Sequence, residues 1–372
     1  MKVLVINWRD IENPEAGGAE IHIDEILKRK PADWQVDFVS AVFPGCAPEA
    51  DIHGYHVTRI PNNSLFHITF RNYWNRILKK RNYDLVIDDV SKIPLATPDY
   101  IRNTPVLGIL HHIHGKSLYQ QISWPLALYV SAMERFFLRA YRHIPFLVVS
   151  ESTRNELTRY YRFDQLIVSH NGIDFDELNR AYVAPAQRGK NMLYFGRMKK
   201  YKRVDHVIRA FRIVRETLPG TRLLLAGKGD DESRLREICR ELALESAVDF
   251  LGFVDESAKP DMFRRASVYL IASEKEGWGI SVIESNAAGL PAVGYNVEGL
   301  RDSIRDGQTG YLAENGNVED LAEKVMRILK DPVKMETLSK NSVEWASGFS
   351  WNRTADEFYR IAGDAVRNFH RI

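Results

Sequence analysis

The chain has 372 residues, 45% of them apolar and 27% charged. That ordinary globular composition is too long for one core and suits two domains of about 150 to 200 residues. A formal net charge of +2 excludes wholesale nucleic-acid binding, which needs a concentrated basic footprint. Cys46 and Cys239 fit no metal or disulfide framework and suit a reducing compartment. The opening MKVLVIN reads as a buried strand, not an export signal, and no apolar run approaches the roughly 18 residues of a membrane span. The expected location is the cytoplasm, with association at the inner face of the cell membrane.

In chain order, short β-rich runs alternate with helix-length amphipathic segments. KVLVIN (2–7), QVDFVS (35–40), DLVIDD (84–89), PVLGIL (105–110) and FLVVS (146–150) form a first strand series. NMLYFG (191–196), TRLLLAG (221–227), AVDFLG (247–252), SVYLIAS (267–273) and LPAVGY (290–295) form a second. Near-continuous apolar runs are the mark of parallel strands covered on both faces. Between them, 204–218 sets Val204, Val207, Ile208, Phe211 and Val214 on one stripe, and 318–331 does so with Leu321, Val325 and Ile328. The polar stretch 176–191 reads as an interdomain linker. The expectation is two Rossmann-like, doubly wound α/β domains facing a cleft, over 1–175 and 176–350, with 351–372 as a closing helix.

Five segments carry chemistry. In NWRDIENPEAGGAEIHI (7–23), Gly17 and Gly18 precede a helix, which suits a phosphate or sugar packed on backbone and equally a plain connection. GILHHIHGKSLYQ (108–120) places His111, His112 and His114 after a strand. No cysteine or carboxylate cluster completes a metal site there, and His111, nearest the strand end, fits a cleft residue touching a reacting sugar. In YFGRMKKYKRVDHVIRAF (194–211), Arg197 and Lys202 follow a strand end, where a guanidinium fork and an ammonium can clamp a diphosphate. LLLAGKGDDESRL (223–235) runs a strand into Gly227-Lys228-Gly229. The pattern lacks the third glycine of a dinucleotide fingerprint, so it suits close approach to a base or ribose, with Asp231 capping the next helix.

The fifth is SEKEGWGISVIESNAAGLP (273–291), a strand-to-helix turn with Glu276 before it and Glu284 a turn inside the helix. Free N–H groups at a helix start bind anions, and Gly277 and Gly279 let a ligand approach. Glu284 can accept hydrogen bonds from a ribose. Taken alone, both glutamates also read as solvated surface residues. Together the set describes a nucleotide-sugar site.

These motifs resemble the family 4 glycosyltransferases, retaining enzymes of the GT-B fold. Gly17-Gly18-Ala19-Glu20 resembles that family's N-terminal glycine loop, and 150–174 its domain junction. FGRMKKYK is similar to its diphosphate site, and Glu276 to Glu284 to its paired-glutamate signature. The resemblance covers essentially the whole chain. It implies that Glu276 binds donor-sugar hydroxyls and that amides of 277 to 281 (Gly277, Trp278, Gly279, Ile280, Ser281) hold sugar and phosphate. Glu284 would bind ribose, Arg197 and Lys202 would stabilise the departing diphosphate, and His111 would sit by the reacting sugar. It also implies front-face attack without a protein nucleophile, no cofactor, and a tail helix (349–369) that crosses back to the N-terminal domain.

Three positions depart from the family pattern: Arg203 for a glycine, Asp302 for a glutamate and Trp278 for a phenylalanine. Asp174-Phe175-Asp176 matches the metal-binding pattern of the other main glycosyltransferase fold, but it lies in the junction, and no divalent metal is expected. The N-terminal half holds nine of the eleven histidines and two basic-aromatic segments, 70–83 and 133–143. As helices these suit an anionic membrane surface and a glycan or lipid-linked acceptor, while Phe136, Phe137 and Leu138 also read as core beneath snorkelling arginines. The rival readings are a sugar-nucleotide epimerase of the same fold, a non-catalytic nucleotide-sugar binder, and a dehydrogenase, the last disfavoured by the incomplete glycine fingerprint.

Overall fold

The computed structural model describes residues 1–61, 65–113, 115, 118 and 122–369. His114 lies outside them, so its expected place near the sugar is not described. The chain forms two compact units, Met1–Gly172 with Trp351–Ile372, and Ile173–Ser350.

The first unit contains β1 (Lys2–Ile6), α1 (Gly18–Lys28), β2 (Gln35–Ala41), β3 (Glu49–Ile52), β4 (Tyr55–Ile60), α2 (Phe66–Arg76), β5 (Leu85–Asp89), β6 (Val106–Leu110), α3 (Trp124–Phe137), β7 (Pro145–Val148), α4 (Glu151–Tyr160) and β8 (Gln165–Val168). Its sheet runs β3-β4-β2-β1-β5-β6-β7-β8, parallel except where β3 pairs antiparallel with β4. The apolar runs are continuous because both faces are covered. Val3 and Val5 of β1 pack with Ile23 and Leu27 of α1, while Leu4 and Ile6, pointing the other way, pack with Phe70 and Trp74 of α2.

The second unit contains α5 (Phe175–Asn179), β9 (Met192–Phe195), α6 (Val204–Thr217), β10 (Leu223–Ala226), α7 (Glu232–Glu241), β11 (Val248–Gly252), α8 (Lys259–Arg264), β12 (Val268–Ile271), α9 (Ile280–Ala287), β13 (Ala292–Tyr295), α10 (Leu300–Ser303), β14 (Gly310–Ala313), α11 (Val318–Leu329) and α12 (Pro332–Ser347). Its parallel sheet runs β11-β10-β9-β12-β13-β14. The stripes expected on α6 and α11 are buried. The last helix, α13 (Trp351–Phe369), belongs to the first unit. It packs on α1, with Tyr359 Oη donating to the Ile26 carbonyl at 2.5 Å.

Two parts differ from expectation. The stretch 176–191 is no free linker, because the second unit begins at Ile173. Leu178 and Ala181 are buried, and the Arg188 guanidinium donates to the carbonyls of Val183, Ala266 and Ala288. Its polar composition serves buried carbonyls, so it looks like a linker without being one. Strands β3, β4, β8 and β14 lie outside the expected series. β3 and β4 form a hairpin turned at His53 and Gly54, with φ of +45° and +84°, and their alternating polarity hides them among loop-like residues.

Candidate active site

In the second unit the 272–279 turn joins β12 to α9. Gly279, the residue before the helix, has φ +88°, a left-handed conformation natural to glycine. The turn is pressed against Gly299, where an added Cβ would lie 2.4 Å from the Glu276 carbonyl oxygen. Glu276 N–H donates to the Glu298 carbonyl (3.1 Å), which fixes the glutamate's backbone. Its Oε1 accepts from Lys202 Nζ (2.5 Å) and Ser273 Oγ (2.6 Å). Burial disfavours the Lys202 charge, but the Glu276 carboxylate outweighs it and holds the ammonium above its ordinary range. The Trp278 indole is buried, with its ring 5.2 Å from that of Phe349, so what this residue offers a ligand is backbone.

Lys202 ends a tight 3-10 turn, Lys200–Lys202, and is followed by Arg203 at φ +48°, ψ +47°. The position where the resemblance led to the expectation of a glycine is thus a left-handed one. Here Arg203 tolerates it by pairing with Glu274 Oε1 through Nε (3.0 Å) and Nη2 (2.6 Å), and with Asn315 Oδ1 through Nη1 (2.8 Å). Arg197 is exposed at the end of β9, its carbonyl accepting from Tyr194 Oη (2.8 Å). Gly227 and Gly229 explain that turn. A Cβ on either would lie 1.9 Å from a carbonyl oxygen, that of Gly196 or Met198 respectively. These glycines therefore pack the 227–229 backbone against the Arg197 turn. Asp231 precedes α7, but its carboxylate pairs with Arg234 at 2.7 Å instead of capping the helix. That is a correction to the capping role expected of it.

Glu284 is nearly buried on α9, and its Oε1 accepts from Lys259 Nζ (2.6 Å). Lys259 also meets Glu256 (2.7 Å) and lies over the Phe195 ring (5.1 Å). Burial opposes its charge, and the two glutamates overcome that and raise it. Ser281, at the start of α9, has Oγ 2.8 Å from Tyr269 Oη, beside Ile280, the first residue of the helix. Thus Lys202 and Ser273 meet at the Glu276 carboxylate, Gly277 and Gly279 follow it in the turn, and Ile280, Ser281 and Glu284 lie in the helix that the turn opens.

In the first unit, Gly17 N–H donates to Glu20 Oε2 (2.7 Å), so Gly17 and Gly18 enter α1 through a local clasp. The preceding loop is pinned by Asp10. Arg59 binds it through Nε (2.8 Å) and Nη2 (3.0 Å), and Ser40 Oγ donates to it (2.7 Å). His111 follows β6 and is buried, with Nε2 3.0 Å from Asp89 Oδ1 at the end of β5. Asn7 Nδ2 donates to Asp89 Oδ2 (2.7 Å). Burial works against a charged His111, but Asp89, with Glu20 behind it, holds its pKa above the usual imidazole range. The His22 ring lies edge-on to His111 at 5.1 Å, with Nδ1 2.8 Å from Asn171 Oδ1. Burial, then the His111 charge, lowers His22 to about 3. The two neighbouring rings are thus shifted in opposite directions, His111 up and His22 down. His112 is half-buried beyond the strand.

Sequence reasoning missed Asp89, Asn7, His22 and Lys259. The carboxylate pair closing DLVIDD was a visible signal for Asp89, since a buried strand rarely ends in two charges without partners. Lys259 carried none.

A glycosyltransferase family signature, "Glycosyl transferases group 1", matches residues 176–345, and "Glycosyltransferase Family 4" matches 16–177. An uncharacterized glycosyltransferase of Methanocaldococcus jannaschii is 30% identical over 97% of this chain and 98% of its own. The chain belongs to the family 4 glycosyltransferases. A glycogen synthase of Mycobacterium tuberculosis is 28% identical over 68% of this chain, a match that spans only 61% of the synthase. Among solved structures, Anabaena HepE in complex with UDP superposes with a TM-score of 0.77 at 20% identity, covering 98% of this chain and 100% of that one. The fold is GT-B.

Proposed function

We propose that the chain is a retaining glycosyltransferase that moves a sugar from a nucleotide-diphosphate-sugar to a glycan or lipid-linked acceptor, in cell-surface polysaccharide or glycoconjugate synthesis. The observation that carries this is the Lys202–Glu276 pair at the head of α9. It sets a cation for a departing diphosphate beside a carboxylate for sugar hydroxyls, next to the amides of a helix start. UDP in the HepE structure makes a uridine diphosphate donor the first to try.

In this reading Lys202 and Arg197 take the charge that grows on the diphosphate as its oxygen leaves C1 of the sugar. The acceptor oxygen bonds C1 on the same face, and its proton passes to the departing phosphate oxygen, so no protein nucleophile and no divalent metal takes part. Glu276 exchanges Lys202 for sugar hydroxyls, Glu284 binds the ribose with Lys259 fixing its rotamer, and His111, held by Asp89, binds the sugar. The reading includes peripheral contact with an anionic membrane, which brings a lipid-linked acceptor to the enzyme.

The test is thermal stabilisation by UDP-, GDP- and ADP-sugars without added metal, since a ligand of the folded state raises its apparent stability. One nucleotide series should raise Tm and Arg197→Ala should abolish the rise, while Glu276→Ala should keep the fold and lose transfer. Wild-type transfer in a folded Glu276→Ala protein would refute the assignment.

A further inference from the structure

Helix α3 (Trp124–Phe137) is amphipathic the wrong way round for a soluble helix. Its inward face is Ala127, Val130 and Glu134. Outward, Trp124 (70% exposed), Leu128 (54%) and Phe136 (59%) follow one another at multiples of four residues, with Tyr129 (46%) and Leu126 (48%) beside them. Such side chains scattered singly need no explanation, but five on one helix form a patch that does. The only charge on its exposed side is Arg135.

Along the chain, the charge that flanks the patch has one sign. Between Ile122 and Ser150 the only acidic residue is Glu134, and it is buried. Arg135, Arg139 and Arg142 follow the patch along the chain, and the Arg135 guanidinium lies 5.4 Å from the ring centroid of Tyr160, itself 59% exposed. The other basic-aromatic segment, 70–83, is different: Phe70, Trp74, Leu78 and Tyr83 are core. No helix among the described residues is long and apolar enough to cross a membrane.

We propose that the outward face of α3, with Trp124, Leu128, Tyr129 and Phe136 inserted and Arg135 and Arg139 at the headgroups, is a docking surface for an anionic lipid bilayer. Tryptophan and tyrosine favour the boundary between headgroups and acyl chains, a helix lying in that plane buries one apolar face, and arginines meet anionic headgroups. A second copy of the chain would meet the same arginines with its own, a like-charge contact that disfavours it as the occupant. The proposal deepens the membrane part of the reading above and rests on it for its purpose. The experiment reads no transfer, so docking and catalysis fail separately.

The experiment is co-sedimentation of the full chain with phosphatidylcholine vesicles, with and without phosphatidylglycerol, at low and high salt. The wild type should sediment with the anionic vesicles and be released by salt. The double variant Trp124→Ser, Phe136→Ser should bind about tenfold more weakly or worse, and Arg135→Glu, Arg139→Glu should erase the anionic preference. Melting temperatures equal to the wild type establish that both variants fold. Wild type that stays in the supernatant overturns the proposal, as does a Trp124, Phe136 variant that binds normally. Self-association lost in that variant, without vesicle binding, assigns the face to a second copy instead.

Discussion

The two units hold their functional groups by different means. In the first, residues far apart in sequence are tied by buried side-chain bonds: Asn7 to Asp89, His22 to Asn171, Arg59 to Asp10. In the second, the turns are fitted backbone to backbone through glycine, at Gly227, Gly229 and Gly299, and the charged side chains pair within the site itself, Lys202 with Glu276 and Lys259 with Glu284. A buried polar tie fails by stranding its partner; a glycine contact fails by collision. The two designs therefore break in different ways.

The largest expected effect is in the first unit. The Arg59 and Asp10 side chains are 1% and 0% exposed, so Arg59→Ala strands a buried carboxylate and should cost about 3–5 kcal/mol. Arg222 and Asp249 in the second unit have the same forked geometry at 44% and 32% exposure. There Arg222→Ala should cost under about 1 kcal/mol. Urea unfolding of both variants measures the contrast, and equal losses would break it.

Next comes the collision. Gly227 has φ +128° and its Cβ would meet the Gly196 carbonyl oxygen at 1.9 Å. Gly227→Ala should therefore cost about 3 kcal/mol and displace the Arg197 turn. Denaturation should register the loss, and diphosphate affinity should fall with it. A Gly227→Ala protein of normal stability would show that the close packing does not constrain this turn.

The third effect is a pH dependence carried by the paired histidines of the first unit. His22 is lowered from 6.5 to about 3 in the fold, so between those values the unfolded chain binds the extra proton. Its contribution to stability is present above about pH 6.5 and is lost as pH falls toward 3. His111 is raised, so its contribution is full below the ordinary value and fades as pH rises through its folded one. His22→Gln, which keeps an amide for Asn171, should flatten the acid limb of stability between pH 6 and about 4. An unchanged limb would mean that other groups govern acid unfolding.

This contrast also decides what the sequence reveals. Backbone constraints announce themselves locally: Gly227-Lys228-Gly229 and the 276–284 turn are visible as glycine spacing, and the stripes of α6 and α11 as periodicity. Ties such as His22 to Asn171 join residues 149 positions apart and leave no local trace. Asp89 was half legible as a charge closing an apolar strand. Lys259, beside a proline at the start of a short helix, was not. Segment 176–191 misled because residues that satisfy buried carbonyls are the same polar residues that fill linkers.

Arg203 belongs to both designs and yields the smallest, sharpest test. Its backbone is left-handed, where the lack of a Cβ favours glycine, and its side chain forks onto Glu274. Arg203→Ala loses the pair and keeps the strain, whereas Arg203→Gly loses the pair and releases the strain at some cost in chain entropy. Glycine should therefore be the more stable replacement by about 1 kcal/mol, although alanine is the better helix former everywhere else. Both variants free Glu274 equally, so their difference in Tm isolates the backbone from the ion pair. Were alanine the more stable, the left-handed turn would relax on losing the arginine. The Glu274 pair, not the chain's path, would then be what holds Lys202 against Glu276.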